Sequence, residues 1–128
     1  MPRNNTAAVI GAGPAGALAA ITAARAGVSV TVYEKNRLTG KKLRITGKGR
    51  CNVTNNCPCD EFLRHVTKNS KFLYGAVNRF TPADTMEFFE LLGVHLKTER
   101  GRRVFPESDR AADIADALER EMRSLVSA

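Results

Sequence analysis

The first clear pattern along the chain is a short apolar run, Ala7-Ala-Val-Ile-Gly11, followed at once by a glycine cluster from Gly11 to Gly16. The run predicts a short buried strand and the cluster a tight turn. Ala15 to Ala26 is rich in the best helix former and predicts a helix, closed by Gly27 where a left-handed cap belongs. In the next segment Val28, Val30 and Val32 alternate with Ser29, Thr31 and Tyr33, which predicts a second strand ending at Glu34. Strand, turn, helix and strand in about thirty residues make one right-handed βαβ unit with parallel strands.

From Lys35 to Asn56 the periodicity disappears, and the segment is expected to be a long functional loop. Asp60 to Phe80 reads as helical in parts. Thr81 to Leu92 is a better-marked helix: Thr81 suits the cap, Pro82 the first position and Asp84 the third, while Gly93 ends it. Its apolar stripe is expected to hold Met86, Phe89 and Leu92, widened by Phe88 and Leu91. Short strands are expected over 94–98 and 103–105 around a turn at Arg100-Gly101, and a last helix from Ser108 or Asp109 through Leu125. The chain has no internal repeat and no low-complexity tract. The fold class is therefore α/β, a Rossmann-like βαβ unit with a parallel sheet, followed by helices and short strands.

At 128 residues the chain has room for one core, not two. Hydrophobic residues make up 43% and charged residues 26%, an ordinary globular balance that excludes disordered and collagen-like classes. Three cysteines do not make a disulfide framework, and they point to a reduced, cytoplasmic setting. The uncharged stretch from Ala7 to Ala24 superficially resembles a signal or a membrane span. It is dominated by Ala and Gly and interrupted at Gly13-Pro14, so no membrane association is expected.

The glycine turn carries chemistry because of where it lies. Gly11 permits the tight turn, Gly13 lets a pyrophosphate approach the backbone, and Gly16 lets the helix pack on the strand. With Ala12, Pro14 and Ala15 these residues form the mouth of a helix N-terminus, whose free N–H groups and positive dipole end attract phosphate. Glu34, eighteen residues beyond Gly16, is placed to accept hydrogen bonds from a ribose. A carboxylate there repels a 2′-phosphate, so the first nucleotide is expected to be FAD or NAD rather than NADP.

Between Lys35 and Arg50 stand seven basic residues and no acidic one: Lys35, Arg37, Lys41, Lys42, Arg44, Lys48 and Arg50. A solvated surface loop, a nucleic-acid contact and a wrap around the doubly charged dinucleotide all fit such a run. No Phe, Tyr or Trp occurs between Glu34 and Glu61, so stacking platforms are missing and nucleic acid is not expected; the dinucleotide wrap is favoured. Cys51, Cys57 and Cys59 lack paired zinc spacing, and neither His65 nor His95 completes a ligand pattern, so no metal site is expected. Arg50 beside Cys51 leaves a lowered thiol pKa open, although packing is the expected role of Cys51. No catalytic acid, base or nucleophile stands out.

The stretches Val9-Ile-Gly-Ala-Gly-Pro-Ala-Gly16, Val32-Tyr-Glu-Lys35 and Gly40-Lys-Lys-Leu-Arg-Ile-Thr-Gly-Lys-Gly-Arg-Cys-Asn-Val-Thr-Asn55 together resemble the start of the BaiN-like flavoproteins. These are NAD(P)/FAD-dependent oxidoreductases, also described as aminoacetone oxidase-like. Phe72-Leu-Tyr74 and Glu99 to Ser108 fit the same pattern. The resemblance implies FAD with its pyrophosphate at Gly11 to Gly16 and its adenosine ribose at Glu34, next to Lys35. It places Lys41 and Lys42 near the cofactor, runs Gly47, Arg50, Cys51 and Asn52 towards the isoalloxazine, and makes NAD(P)H the electron donor. Family members are longer, so residues 1–128 are expected to be the N-terminal portion of an FAD/NAD(P)-binding domain, without the inserted domain and the later flavin-closing segment. Two further readings stand beside an oxidoreductase part with a small-molecule substrate or acceptor. One is a truncated, non-enzymatic dinucleotide-binding fragment that self-associates or needs a partner chain. The other, suggested only by the +7 charge, is an RNA-associated flavoprotein.

Overall fold

A computed structural model describes residues 4–126. Its first part is the expected βαβ unit: β1 (Thr6–Ile10), α1 (Pro14–Arg25) and β2 (Ser29–Tyr33), the two strands parallel with Val9 opposite Val32. The ladder is extended at both ends, where the Ser29 amide donates to the Asn5 carbonyl and the Gly11 amide to that of Tyr33. The second part is a three-stranded antiparallel sheet in the order β3 (Thr54–Asn55), β5 (Arg103–Pro106), β4 (Leu96–Glu99). The described residues hold four further α-helices: α2 (Cys59–Arg64), α3 (Ser70–Arg79), α4 (Pro82–Leu91) and α5 (Ala111–Leu125).

The core lies between α1, α5 and one face of the parallel pair. Ala17, Ala20 and Ile21 of α1 are buried with Val30 of β2 and with Ile114, Ala117, Leu118 and Met122 of α5. Alanines at the contact let the two helices approach closely, while Ile21 and Ile114 supply bulk; each fully buried aliphatic side chain contributes on the order of 2 kcal/mol. The amphipathic pattern of α5 is thus explained by its seat on α1. An ion pair between Arg25 and Glu121 at 2.9 Å closes the edge of that contact.

Several sequence expectations need correction. β1 is covered on one side only: Ile10 is 81% exposed, because α1 packs on the opposite face of the sheet, the one that carries Ala7, Val9, Val30 and Val32. Leu91, expected to widen the apolar stripe of α4, is 79% exposed, whereas Phe89 is buried. The α4 start is as expected, and Thr81 and Asp84 form a reciprocal capping box at 3.0 Å in each direction. The last helix begins at Ala111, not at Ser108 or Asp109, since Asp109 has a left-handed backbone and its carboxylate is occupied elsewhere. The segment 35–56 is not a featureless loop. It contains two short 3-10 turns joined by a kink within Leu43–Gly49, and then β3.

Candidate functional site

The glycine turn is held open from three sides. Gly11 has φ +94, a conformation other residues rarely adopt, and its amide is used by the sheet. A Cβ at Gly16 would stand 1.9 Å from the Gly11 carbonyl oxygen, so only glycine lets α1 leave the strand at this angle. A Cβ at Gly13 would meet nothing within 4 Å, so the backbone there faces open space. Pro14 occupies the first helical position, where its missing N–H costs nothing, and no side chain caps the helix. The Ala15 and Gly16 amides in the first turn therefore have no intrahelical acceptor and face the mouth of the turn.

Glu34, at the end of β2, binds the turn directly. One carboxylate oxygen accepts from the Ala12 amide at 3.1 Å and the other from the Asn36 amide at 2.8 Å. The bond from Asn36, then that from Ala12, holds the carboxyl below its ordinary pKa, so it is an anion at neutral pH. Each oxygen keeps a second lone pair for another donor. The Gly40 amide donates to the Ala12 carbonyl at 2.9 Å, which ties the start of the basic segment to the same turn.

Gly13, Pro14, Glu34, Lys35, Lys41 and Lys42 line one open groove of about 460 Å³, together with Asn36 and Ile45. Among the described residues, Lys35, Lys41 and Lys42 have no ion-pair partner. Cys51 and Asn52 lie elsewhere, in a neighbouring apolar cavity of about 290 Å³ that shares Pro14 with the groove and is walled by Leu18, Leu43, Phe88, Phe89, Ile114 and others. Gly47 has a left-handed backbone, and a Cβ there would stand 2.8 Å from the Asn52 amide, so it shapes the bend that delivers Asn52. Cys51 is buried, and desolvation pushes its thiol above the ordinary range; the lowered pKa left open by its neighbour Arg50 is not found.

Arg50 points away from both spaces. Its guanidinium contacts Glu99 at 2.6 Å and Asp109 at 2.7 Å, and lies 3.9 Å over the Phe105 ring. Lys97 contacts the same two carboxylates. The hydrogen bond to Arg50 lowers the Glu99 pKa most, and that to Lys97 lowers the Asp109 pKa most. Arg44 is similarly engaged, with Asp116 of α5 at 2.8 Å. Sequence reasoning missed Asn36 and Ile45 at the groove and Leu43 and Thr46 at the cavity. Their signal was weak, because the bend that holds Asn36 and the 3-10 turns that present the other three are too short to show a period.

No group of His, Cys, Asp and Glu among the described residues could hold a metal ion. No helix among the described residues is long and apolar enough to cross a membrane.

A parallel βαβ unit with a glycine turn at the helix mouth and an acidic side chain closing the second strand defines a Rossmann-type domain. The family model described as HI0933-like protein Rossmann domain matches residues 5–127, and the chain belongs to that family. The resemblance to BaiN-like flavoprotein oxidoreductases holds as well. The chain is 38% identical over 121 residues to a 3-dehydro-bile acid delta(4,6)-reductase of Clostridium scindens, covering 93% of this chain and 29% of the relative. It is 31% identical over 112 residues to the ribosomal RNA dihydrouridine synthase of Escherichia coli, covering 88% of this chain and 27% of the relative. Against the enzyme of the same name from Haemophilus influenzae it is 33% identical over 86 residues, or 67% of this chain and 21% of the relative. The chain thus spans less than a third of the length of these curated relatives.

Proposed function

We propose that this chain is the N-terminal FAD-binding part of a flavoprotein oxidoreductase that takes its electrons from NAD(P)H. The observation that carries the reading is the groove in which the open backbone at Gly13 meets the Glu34 carboxylate and three unpaired lysines. These groups fit a dinucleotide. The Ala15 and Gly16 amides bind the pyrophosphate, Lys41 and Lys42 neutralise its charge, and the second lone pairs of Glu34 accept from the ribose hydroxyls. Lys35 adds to the positive field at the end of β2. FAD held by these residues would supply redox chemistry, with reduced nicotinamide as the hydride source and an organic molecule or oxygen as the acceptor.

The remaining assignments follow from the same placement. Cys51 and Asn52 line the apolar cavity beside the groove, which supports a place for them at the ring end of the cofactor. Gly47 and Arg50 act on that end indirectly, by bending and anchoring the segment. The three free cysteines suit a reducing cytoplasm.

The test is an absorbance spectrum of the purified chain after addition of FAD and gel filtration. Retained flavin in the wild type and its loss in Gly13→Val, at unchanged near-UV circular dichroism, is the expected result. Equal retention by both would place the flavin elsewhere and sink the assignment. Absence of flavin from a folded wild-type sample would refute a self-sufficient site in these 128 residues.

A further inference from the structure

The α2–α3 hairpin contributes no buried residue of its own helices to the core, yet it carries two exposed aromatic side chains, Phe72 at 87% and Tyr74 at 64%. The 3.6-residue repeat sorts α3 into two sides. Leu73 and Val77 are half-buried on the side towards α2, where the Cys59 thiol meets the Val77 carbonyl, while Lys71, Gly75 and Arg79 form an outward row at i, i+4 and i+8. Phe72 and Tyr74 flank that row, one on each side. α4 repeats the plan with the opposite charge. Phe89 is buried on its inner side, and Ala83, Glu87 and Leu91 form an outward row at the same spacing, with Glu90 beside it and Leu91 standing in solvent. Rows at this spacing are the ridges that interdigitate when two helices pack.

The sign of the charge changes from one row to the next. No acidic residue occurs between Glu61 and Asp84, an interval that holds Arg64, Lys68, Lys71 and Arg79. No Lys or Arg occurs between Arg79 and Lys97, an interval that holds Asp84, Glu87 and Glu90. The two faces do not meet within one copy: Lys71, Arg79 and Glu87 have no ion-pair partner among the described residues. Glu90 accepts from the Leu96 amide at 2.8 Å and lies 3.4 Å from His95, which leaves lone pairs on its carboxylate for a further donor. Each face thus offers apolar surface and charge that complement the other, and both belong to the same molecule.

We infer that α3 of one copy docks on α4 of a second copy of this chain, with Phe72 and Tyr74 closing on Leu91, and Lys71 and Arg79 facing Glu87 and Glu90. Gly75, in the middle of the α3 row, lets the helices approach closely. Two aromatic side chains bring about 300 Å² to such a contact, a large share of the roughly 800 Å² that each partner buries in a standard interface. Copies of a chain with net charge +7 repel one another, and a contact that sets an acidic face on a basic one offsets that repulsion locally. A bilayer or an acidic peptide is a poorer occupant, because either would engage the α3 row and leave the α4 row without a partner. This inference does not depend on the flavin reading, since none of the docking residues lines the groove or the apolar cavity.

The experiment is sedimentation velocity of the purified chain over a wide range of concentration at low salt. Concentration-dependent association is expected in the wild type, weakening as salt is added. Lys71→Glu with Arg79→Glu should weaken it at least about tenfold, since like charges then face one another. Ala83→Lys with Glu87→Lys should do the same from the other side, with Glu90 left in place because the Leu96 amide uses it. An equimolar mixture of the two charge-reversed variants should associate again, because the acidic α3 of one meets the basic α4 of the other. Phe72→Ala with Tyr74→Ala should weaken association at least about tenfold without altering the charge. The substituted side chains are all exposed, so melting temperature and FAD retention should not change. A wild type that stays monomeric overturns the inference, and so does a mixture that fails to associate. Charge-reversed variants that associate as the wild type does also overturn it, and would move the contact to the open edges of β1 and β2.

Discussion

The glycine turn and the basic segment that follows it are adjacent in sequence, and both have been read as cofactor contacts, yet they are built on different physics. In the turn each residue acts through the backbone at its own position. Gly11 takes a left-handed φ and Gly16 avoids a 1.9 Å contact, and neither depends on a distant side chain. In the basic segment the roles are set by what comes to meet each cation. Arg44 is met by Asp116 and Arg50 by Glu99 and Asp109, whereas Lys41 and Lys42 have no ion-pair partner among the described residues and line the groove. Steric roles are local, and electrostatic roles are assigned by partners up to 75 residues away, as in the contact between Arg44 and Glu119.

The sharpest way to break this comparison is Gly16→Ala. The added methyl group meets backbone, not a flexible side chain, so the chain should lose about 3 kcal/mol of stability as α1 is forced off β1. Urea unfolding monitored by circular dichroism would show it, and an unchanged midpoint would mean that the turn is not the rigid element described here.

Acid comes next. The carboxyls of Glu34, Glu99 and Asp109 all have pKa values below the ordinary range in the folded chain. A lowered folded-state pKa contributes stability that is fully present above the unfolded value, about 4, and is lost as pH falls below it. The urea midpoint should therefore stay level from neutral pH down to about 5 and drop steeply below about 4. Stability that instead declined steadily from neutral pH would show that these anions are not held by the bonds described.

Replacing Arg50 sharpens the contrast within the basic segment. Arg50→Met removes the link between the loop and two carboxylates, and Arg50→Lys cannot reproduce its two-sided contact. Both should lower the melting temperature, the first more than the second. Both should also speed alkylation of buried Cys51 next door, because the segment that encloses it loses its anchor. Alkylation at the wild-type rate would show that Arg50 does not hold the loop. The smallest effect belongs to Lys41→Ala with Lys42→Ala. Exposed charges are worth little in water, so FAD affinity should fall only about fivefold, and the difference should vanish in high salt. A loss of fold in that variant would place these lysines with Arg44 and Arg50.

Much of this could be read from the linear chain. The βαβ unit, the capped start at Thr81 and the long last helix each depend on patterns among residues a few positions apart, which sequence displays directly. The open face of β1 could not be read that way. Alternation or an apolar run says that a strand has a side to bury, but the packing of α1 on the other face is what leaves Ile10 uncovered. The start of α5 was displaced for a related reason. Asp109 is a good capping residue in isolation, and Arg50 and Lys97 compete for its carboxylate only after β4 and the loop are in place.

By itself the sequence determined the parallel unit, the glycine turn at its helix mouth and the family to which the chain belongs, because backbone sterics and hydrophobic period are properties of neighbouring residues. Only the tertiary structure decided which of seven similar cations are spent on ion pairs and which line a groove, and that the aromatic rings of α3 stand in solvent beside three lysine and arginine side chains. Charge and exposure are decided by distance in space, and a folded chain brings together residues that its sequence keeps far apart.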